Sequence, residues 1–278
     1  MSITWLLEKN LWDESLSIER ACNTLGYKVK WLEYIPFSNL DFSNIQPEGE
    51  TYIFHGSLNL AKKLRPHVKG VYCDLKQFEC TTYYNYLGQF LLNDEYFMFP
   101  FGEVKRNYRL IFELLERHSG FIPTYAKAFI RPNKGDKLFT GQLIEYERFD
   151  KDFENLNYHD IDASEIVVFS YPKIIDMEYR FIICDKQIIG NSVYRYRGEL
   201  ASFSLSRQQD PVLFDYVERI ANTWQPEPIF AIDIAKTPHG YKLLEINSFS
   251  CSGLYDADIL NIVQKVSEFT LKENSYED

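Results

Sequence analysis

The chain has 278 residues, 45% hydrophobic and 25% charged, ordinary for a soluble globular protein and enough for one sizeable core or two or three small lobes. Its formal net charge of −10, with no long Lys/Arg run to offset it, excludes general nucleic-acid binding and leaves room for a local cationic pocket only. Five widely spaced cysteines without a C-x-x-C pairing, an N-terminus unlike a signal peptide and no apolar run of membrane-spanning length indicate a cytoplasmic protein with no membrane partner, its cysteines serving as small buried hydrophobes.

Residues 1–95 read as a small parallel βαβ lobe. Residues 2–7 form a short apolar strand, 13–26 an amphipathic helix stopped by Gly26, and 27–34 an alternating strand. Residues 51–57 and 69–74 are two further strands with a helix over 57–65 between them, a rhythm that implies parallel pairing. A Tyr-rich helix over 82–92 links this lobe to the next segment. Pro100 and Gly102 break the pattern before a helix over 104–120. The rest is mostly β, with strands expected at 126–132, 138–146, 165–172, 178–184, 187–197, 229–236 and 241–247. Two helices punctuate them, at 210–224 with Asp210 as N-cap and Pro211 in first position, and at 256–272.

The stretch IFAIDIAKTPHGYKLLEIN carries the strongest chemical signal. Strand alternation puts Phe230, Ile232 and Ile234 on one face and Ala231, Asp233 and Ala235 on the other. In the returning strand Glu245 and Asn247 share a face. A three-residue loop Pro238-His239-Gly240 pairs Thr237 with Tyr241 and sets Asp233 directly across from Glu245. Two carboxylates and an amide oxygen then converge, as a hard cation such as Mg²⁺ requires. The bland alternative is the solvated face of an ordinary hairpin. Against it, like charges facing each other across a strand pair repel without a counter-ion.

EYRFIICDKQIIGNSVYRYR reads as a second hairpin turning at Asp185-Lys186. With a two-residue loop, Arg180 faces Asn191 and Glu178 faces Val193. Glu178, Arg180, Asn191, Arg195 and Arg197 then share a polar face that suits phosphate, or else forms a solvated salt-bridged surface. AKAFIRPNKGDKLFTG places Arg131 at a strand end and Lys137 after a Gly-containing turn, which reads either as a phosphate-closing loop or as a plain hairpin.

In their order, FIRPNKG, KLFTG, FSYPKII, EYRFII, GNSVYR, the AIDIAK…EIN hairpin and SGLYDAD resemble the ATP-grasp superfamily over roughly residues 97–262. The combination resembles the clade in which Arg, here Arg131, stands at the usual nucleotide-binding Lys. The resemblance implies an α/β (α+β) ATP-grasp fold with two α/β subdomains, 96–175 and 176–278, gripping ATP behind the 1–95 lobe. It implies phosphate contacts from Arg131 and Lys137, and phosphate or acyl-phosphate contacts from Arg180 and Arg195. It further implies adenine contacts from backbone near Ser170, Tyr171 and Lys173, a supporting role for Glu178, and Mg²⁺ on Asp233, Glu245 and Asn247. The implied activity is an ADP-forming carboxylate–amine or carboxylate–thiol ligase using ATP and Mg²⁺. Its substrates would be small molecules, peptides or protein termini. A phosphotransferase and a non-catalytic nucleotide-binding regulator are the alternatives. Ser252, Gly253, Tyr255 and Asp258 fall where the family places a substrate loop. His55-Gly56-Ser57 is either an acceptor-lining turn or a strand-to-helix turn with Ser57 as N-cap.

Overall fold

A computed structural model describes residues 2–9, 14–35, 50–119, 127–135, 138–156 and 161–275. Among them the elements begin β1 (Ser2–Glu8), α1 (Glu14–Leu25), β2 (Lys28–Leu32), β3 (Glu50–His55), α2 (Leu58–Leu64), α3 (Cys80–Leu87), β4 (Tyr96–Pro100), α4 (Phe101–Ser119), β5 (Lys127–Pro132) and β6 (Gln142–Glu145). They continue α5 (Phe149–Leu156), β7 (Ile166–Ser170), β8 (Met177–Cys184), β9 (Gln187–Tyr196), β10 (Glu199–Phe203), α6 (Pro211–Thr223), β11 (Ile229–Thr237), β12 (Gly240–Ser248) and α7 (Ile259–Ser275). Compactness divides the chain into two units, Met1–Asp74 with Ile175–Asp278, and Leu75–Ile174. The N-terminal lobe therefore belongs to the same unit as the C-terminal segment, and residues 75–95 group with the middle one.

In the first unit β1, β2 and β3 make the expected parallel sheet, in the order β2-β1-β3. Trp5, fully buried on β1, donates its indole N–H to Ser267 Oγ on α7 at 3.0 Å, which ties the first strand to the last helix. The segment expected as a strand at 69–74 makes a single parallel bridge, Ile53 to Gly70, and no ladder. Val71, Tyr72 and Cys73 are instead buried, and the Tyr72 hydroxyl lies 2.9 Å from Thr270 Oγ1.

The same unit holds an antiparallel sheet in the order β10-β9-β8-β11-β12. On one face Phe181 of β8, paired with Ile232 of β11, packs edge-on to Phe214 of α6 with ring centroids 5.3 Å apart. On the other, Ile182, Ile229 and Ala231 join Trp5 and the α7 residues Ile262, Val263 and Val266 in one core. Covered on both faces, β11 reads as a nearly continuous apolar run. Asp233 is the exception, and it is as buried as its neighbours.

The second unit packs α4 and α5 on an antiparallel sheet in the order β4-β7-β5-β6, around Phe101, Phe112, Ile130, Phe149, Phe153 and Phe169. β4 and α5 were not expected from sequence, nor was β10 in the first unit. Pro100 ends β4 at a sheet edge, where a missing N–H costs no ladder bond. α5 buries Phe149, Phe153 and Leu156, a helical spacing hidden by a short segment. β10 is a mostly exposed edge strand without apolar alternation.

Gly70 sits where an added Cβ would lie 2.0 Å from the Tyr52 carbonyl oxygen of β3. Backbone cannot rotate aside as a side chain can, so Gly70→Ala is expected to cost on the order of 3 kcal/mol. A fall in the urea midpoint at unchanged m-value checks this.

Candidate active site

Asp233 lies in a row that crosses neighbouring strands. It pairs with Arg180 on β8 and with Glu245 on β12, and Arg180 in turn pairs with Ser192 on β9. The facing of Asp233 and Glu245 arises differently from expectation. The turn is two residues long, Pro238-His239, so that Thr237 pairs with Gly240 instead of Tyr241. That shorter loop alone would turn Asp233 away. A β-bulge between Asp233 and Ile234 supplies one extra residue, Leu244, on β12 and restores the pairing.

The second hairpin differs more. Asp185 and Lys186 adopt φ of 44° and 67°, the two-residue primed turn, and Cys184 pairs with Gln187 as expected. Bulges between Ile182 and Ile183 and between Glu178 and Tyr179 then shift the rest. Arg180 faces Ser192 instead of Asn191, and Glu178 faces Arg195 instead of Val193. Asn191 consequently moves to the opposite face, where its side chain exchanges two 2.9 Å hydrogen bonds with the Leu205 backbone. Arg197 leaves the strand for a turn at φ 50°. Tyr194, the residue added by one bulge, joins the Arg180 side.

The row is charged and buried. Arg180 donates Nε–H to Asp233 Oδ1 at 2.8 Å and Nη2–H to Oδ2 at 2.6 Å, a bidentate pair with Asp233 wholly inaccessible. Asn247 donates from Nδ2 to Asp233 Oδ2 and to Glu245 Oε1, both at 3.1 Å. Burial pushes the Asp233 carboxyl up to about 6 against the pull of Arg180, and the nearby Glu245 and Glu178 carboxylates raise it further. Burial lowers the Arg180 pKa, but Asp233 beside it more than compensates, so the guanidinium stays cationic. Tyr194 and Tyr255 stack with centroids 5.2 Å apart, and the Arg180 guanidinium carbon lies 5.6 and 5.3 Å from their ring centres.

The loop after β12 is tied to this row. Arg180 Nη1 donates to the Gly253 carbonyl at 3.1 Å. Glu14, at the start of α1, accepts the Leu254 N–H at 2.9 Å and the Tyr255 N–H at 3.2 Å. His55 Nε2 lies 3.0 Å from the Ser252 carbonyl, which can only accept, so Nε2 carries the proton. Glu14 was not picked out from sequence, where it reads as one more acidic residue in a helical first turn. Asp258 acts as a cap, accepting the Asn261 N–H at 3.0 Å at the start of α7. Ser57 likewise caps α2, accepting the Leu60 N–H at 3.3 Å.

Other expected residues are apart from the row. Arg195 is exposed and donates to the Gly198 carbonyl at 2.8 Å. In the second unit Arg131 pairs with Val168 in the β5–β7 ladder, and Lys137 lies outside the described residues. Ser170 Oγ donates to Asn93 at 3.0 Å, Lys173 is 3.3 Å from Asp94, and Tyr171 is half-buried.

The donor set suits a hard divalent cation. Asp233, Glu245 and Asn247 offer only oxygen once the Asn247 amide is turned over, and amide orientation is assigned from hydrogen bonding. Asp233 Oδ1 accepts one hydrogen bond and keeps a further lone pair.

A family model described as an ATP-grasp domain, family 3 of its clade, matches residues 105–266, more than half of the chain. No curated protein sequence matches. Three solved structures share the fold: the D-cycloserine synthetase DcsG has a TM-score of 0.63 at 11% identity, covering 97% of this chain and 100% of that one. The D-alanine–D-alanine ligase from Bacillus anthracis has a TM-score of 0.61 at 11% identity, covering 100% of both chains. The macrocyclase MdnC bound with precursor peptide MdnA, from Microcystis aeruginosa MRC, has a TM-score of 0.55 at 14% identity, covering 98% and 100%.

Burial lowers the His55 pKa from 6.5 to about 4. A depressed histidine gives stability that is fully present above about pH 6.5 and is lost as the unfolded chain takes its proton, down to about pH 4. The His55 contribution in that window is about 3 kcal/mol. The stability advantage of the wild type over His55→Gln, measured by urea unfolding, is expected to shrink by that amount from pH 7.5 to pH 4. A pH-independent difference would show that His55 titrates normally.

Proposed function

The chain belongs to the ATP-grasp domain family, and from that premise we propose that it is an ATP-dependent ligase. It phosphorylates a substrate carboxylate and lets an amine or other nucleophile displace the phosphate, with ADP as the other product. The observation that carries this reading is the buried row of Arg180, Asp233 and Glu245 bridged by Asn247. Two carboxylates held within reach of one amide repel, and a divalent cation relieves that repulsion better than protonation near neutral pH.

In this reading Asp233, Glu245 and Asn247 hold Mg²⁺. When bound, the ion neutralises phosphate oxygens and orients the nucleotide. Arg131 and Lys137 hold phosphates, and the backbone near Ser170, Tyr171 and Lys173 meets adenine. Arg195 is the mobile cation for a transferred phosphoryl group, because its side chain is exposed and its tie is a backbone carbonyl, that of Gly198. Arg180 contributes charge and orientation with all three of its nitrogens already engaged. No nucleophilic side chain is needed, since the chemistry is positioning and charge stabilisation.

The acceptor is a small molecule or a peptide end carrying an amine, in line with the names of the fold relatives, a synthetase, a ligase and a peptide macrocyclase. Five free cysteines suit the reducing cytoplasm, and among the described residues no helix is long and apolar enough to cross a membrane.

Incubation with Mg²⁺-ATP and pools of carboxylates and amines tests the proposal. ADP and phosphate that depend on an added carboxylate are expected. Phosphate retained on the product would make the protein a phosphotransferase, and no turnover with intact ATP binding would make it a regulator. AMP and pyrophosphate would contradict the ATP-grasp chemistry. Glu245→Gln is expected to lower Mg²⁺-dependent turnover by about 100-fold or more, and unchanged turnover would remove Glu245 from the metal site.

A further inference from the structure

One side chain joins the metal carboxylate to the loop after β12. Nε and Nη2 of Arg180 hold Asp233, and Nη1 of the same planar group holds the Gly253 carbonyl. We propose that Arg180 is a positioning residue that couples divalent-cation binding at Asp233 to the order of the 252–255 loop. This inference rests on the reading that Asp233 and Glu245 hold the cation.

The guanidinium is rigid, so the three bonds cannot adjust independently. If the carboxylate turns, the fork turns with it, and Nη1 moves off the Gly253 oxygen. The aromatic contacts close the same circuit. Tyr194 and Tyr255 lie parallel within 11°, both within cation–π range of Arg180, so tilting the guanidinium disturbs Tyr255.

The loop needs such anchors. Tyr255 has φ 53°, a left-handed conformation unfavourable for a bulky side chain, and the residue is 41% exposed. The loop is held from the N-terminal lobe by Glu14 on the Leu254 and Tyr255 N–H groups and by His55 on the Ser252 carbonyl. Arg180 is the tie from the charged row, through Gly253. A cation taking the remaining lone pair of Asp233 Oδ1 leaves the in-plane hydrogen bonds in place and fixes the carboxylate. The carboxylate then fixes the guanidinium, and the guanidinium fixes Gly253 and Tyr255. By linkage, whatever orders the loop tightens the cation by the same factor. The coupling makes the substrate loop ready only when the metal is present.

Hydrogen exchange of the backbone amides of Leu254 and Tyr255 in the full chain, with MnCl₂ or with EDTA, tests this, with Mn²⁺ binding followed by EPR. Mn²⁺ is expected to slow exchange at these amides at least about fivefold in the wild type, at the low end of ordinary couplings. Arg180→Lys keeps the charge and loses the fork; it is expected to bind Mn²⁺ without the slowing. A purely structural role would instead speed exchange equally with and without Mn²⁺ and leave the ratio unchanged, which would overturn the proposal. Tyr255→Leu, which leaves the Arg180–Asp233 pair intact, is expected to halve the effect or more at Leu254, and it serves as the test if Arg180→Lys does not fold. Mn²⁺ bound by the wild type with no change in exchange would sink the coupling alone. No Mn²⁺ bound at all would sink the metal reading and the coupling with it.

Discussion

The buried ion pair between Arg180 and Asp233 is the constraint around which the first unit is organised. An isolated carboxylate at the fully inaccessible position of Asp233 would cost several kcal/mol, more than any single apolar contact nearby returns. The pair is retained in the middle of a sheet whose neighbouring positions are Ile, Phe and Ala. Replacing such a pair with apolar residues is often neutral or stabilising. Its presence therefore points to a task other than stability, and the adjacent Glu245 and Asn247 give that task a chemistry.

The fold delivers this arrangement with irregularities of the sheet. Bulges, one in the β11–β12 pairing and two in the β8–β9 pairing, set which side chains share the Arg180 face. Each bulge changes the two-residue period by one and so moves a side chain across the sheet. One restores Glu245 opposite Asp233 after a short turn. Another brings Tyr194 beside Arg180 and leaves Arg195 opposite Glu178. At the other end of the same face, Ile182, Ile229 and Ala231 are ordinary core under α7. A single sheet face thus serves as core at one end and as a charged cluster at the other.

Much of this was legible in the sequence. Alternation along IFAIDIA placed Asp233 apart from the aliphatic face, and Glu245 with Asn247 followed from the next strand. The parallel lobe, the Asp210 cap and the Asp185-Lys186 turn were also readable, because each depends on local spacing or capping chemistry. The register across β8 and β9 was not, since a bulge adds a residue without any mark in composition. Nor was the direct Arg180–Asp233 pairing, which needs β11 to lie beside β8, a contact between segments some 50 residues apart. Glu14 was invisible for the same reason: its partners, Leu254 and Tyr255, lie 240 and 241 residues away.

The account stands or falls on where a divalent cation binds. Crystals soaked with Mn²⁺ and a non-hydrolysable ATP analogue, with anomalous differences collected at the manganese edge, give the most direct measurement. The account predicts a peak at metal–oxygen distance, about 2.1 Å, from Glu245 and Asn247, with Asp233 still held by Arg180. A peak elsewhere, with the Arg180, Asp233, Glu245 and Asn247 side chains unchanged, would contradict it.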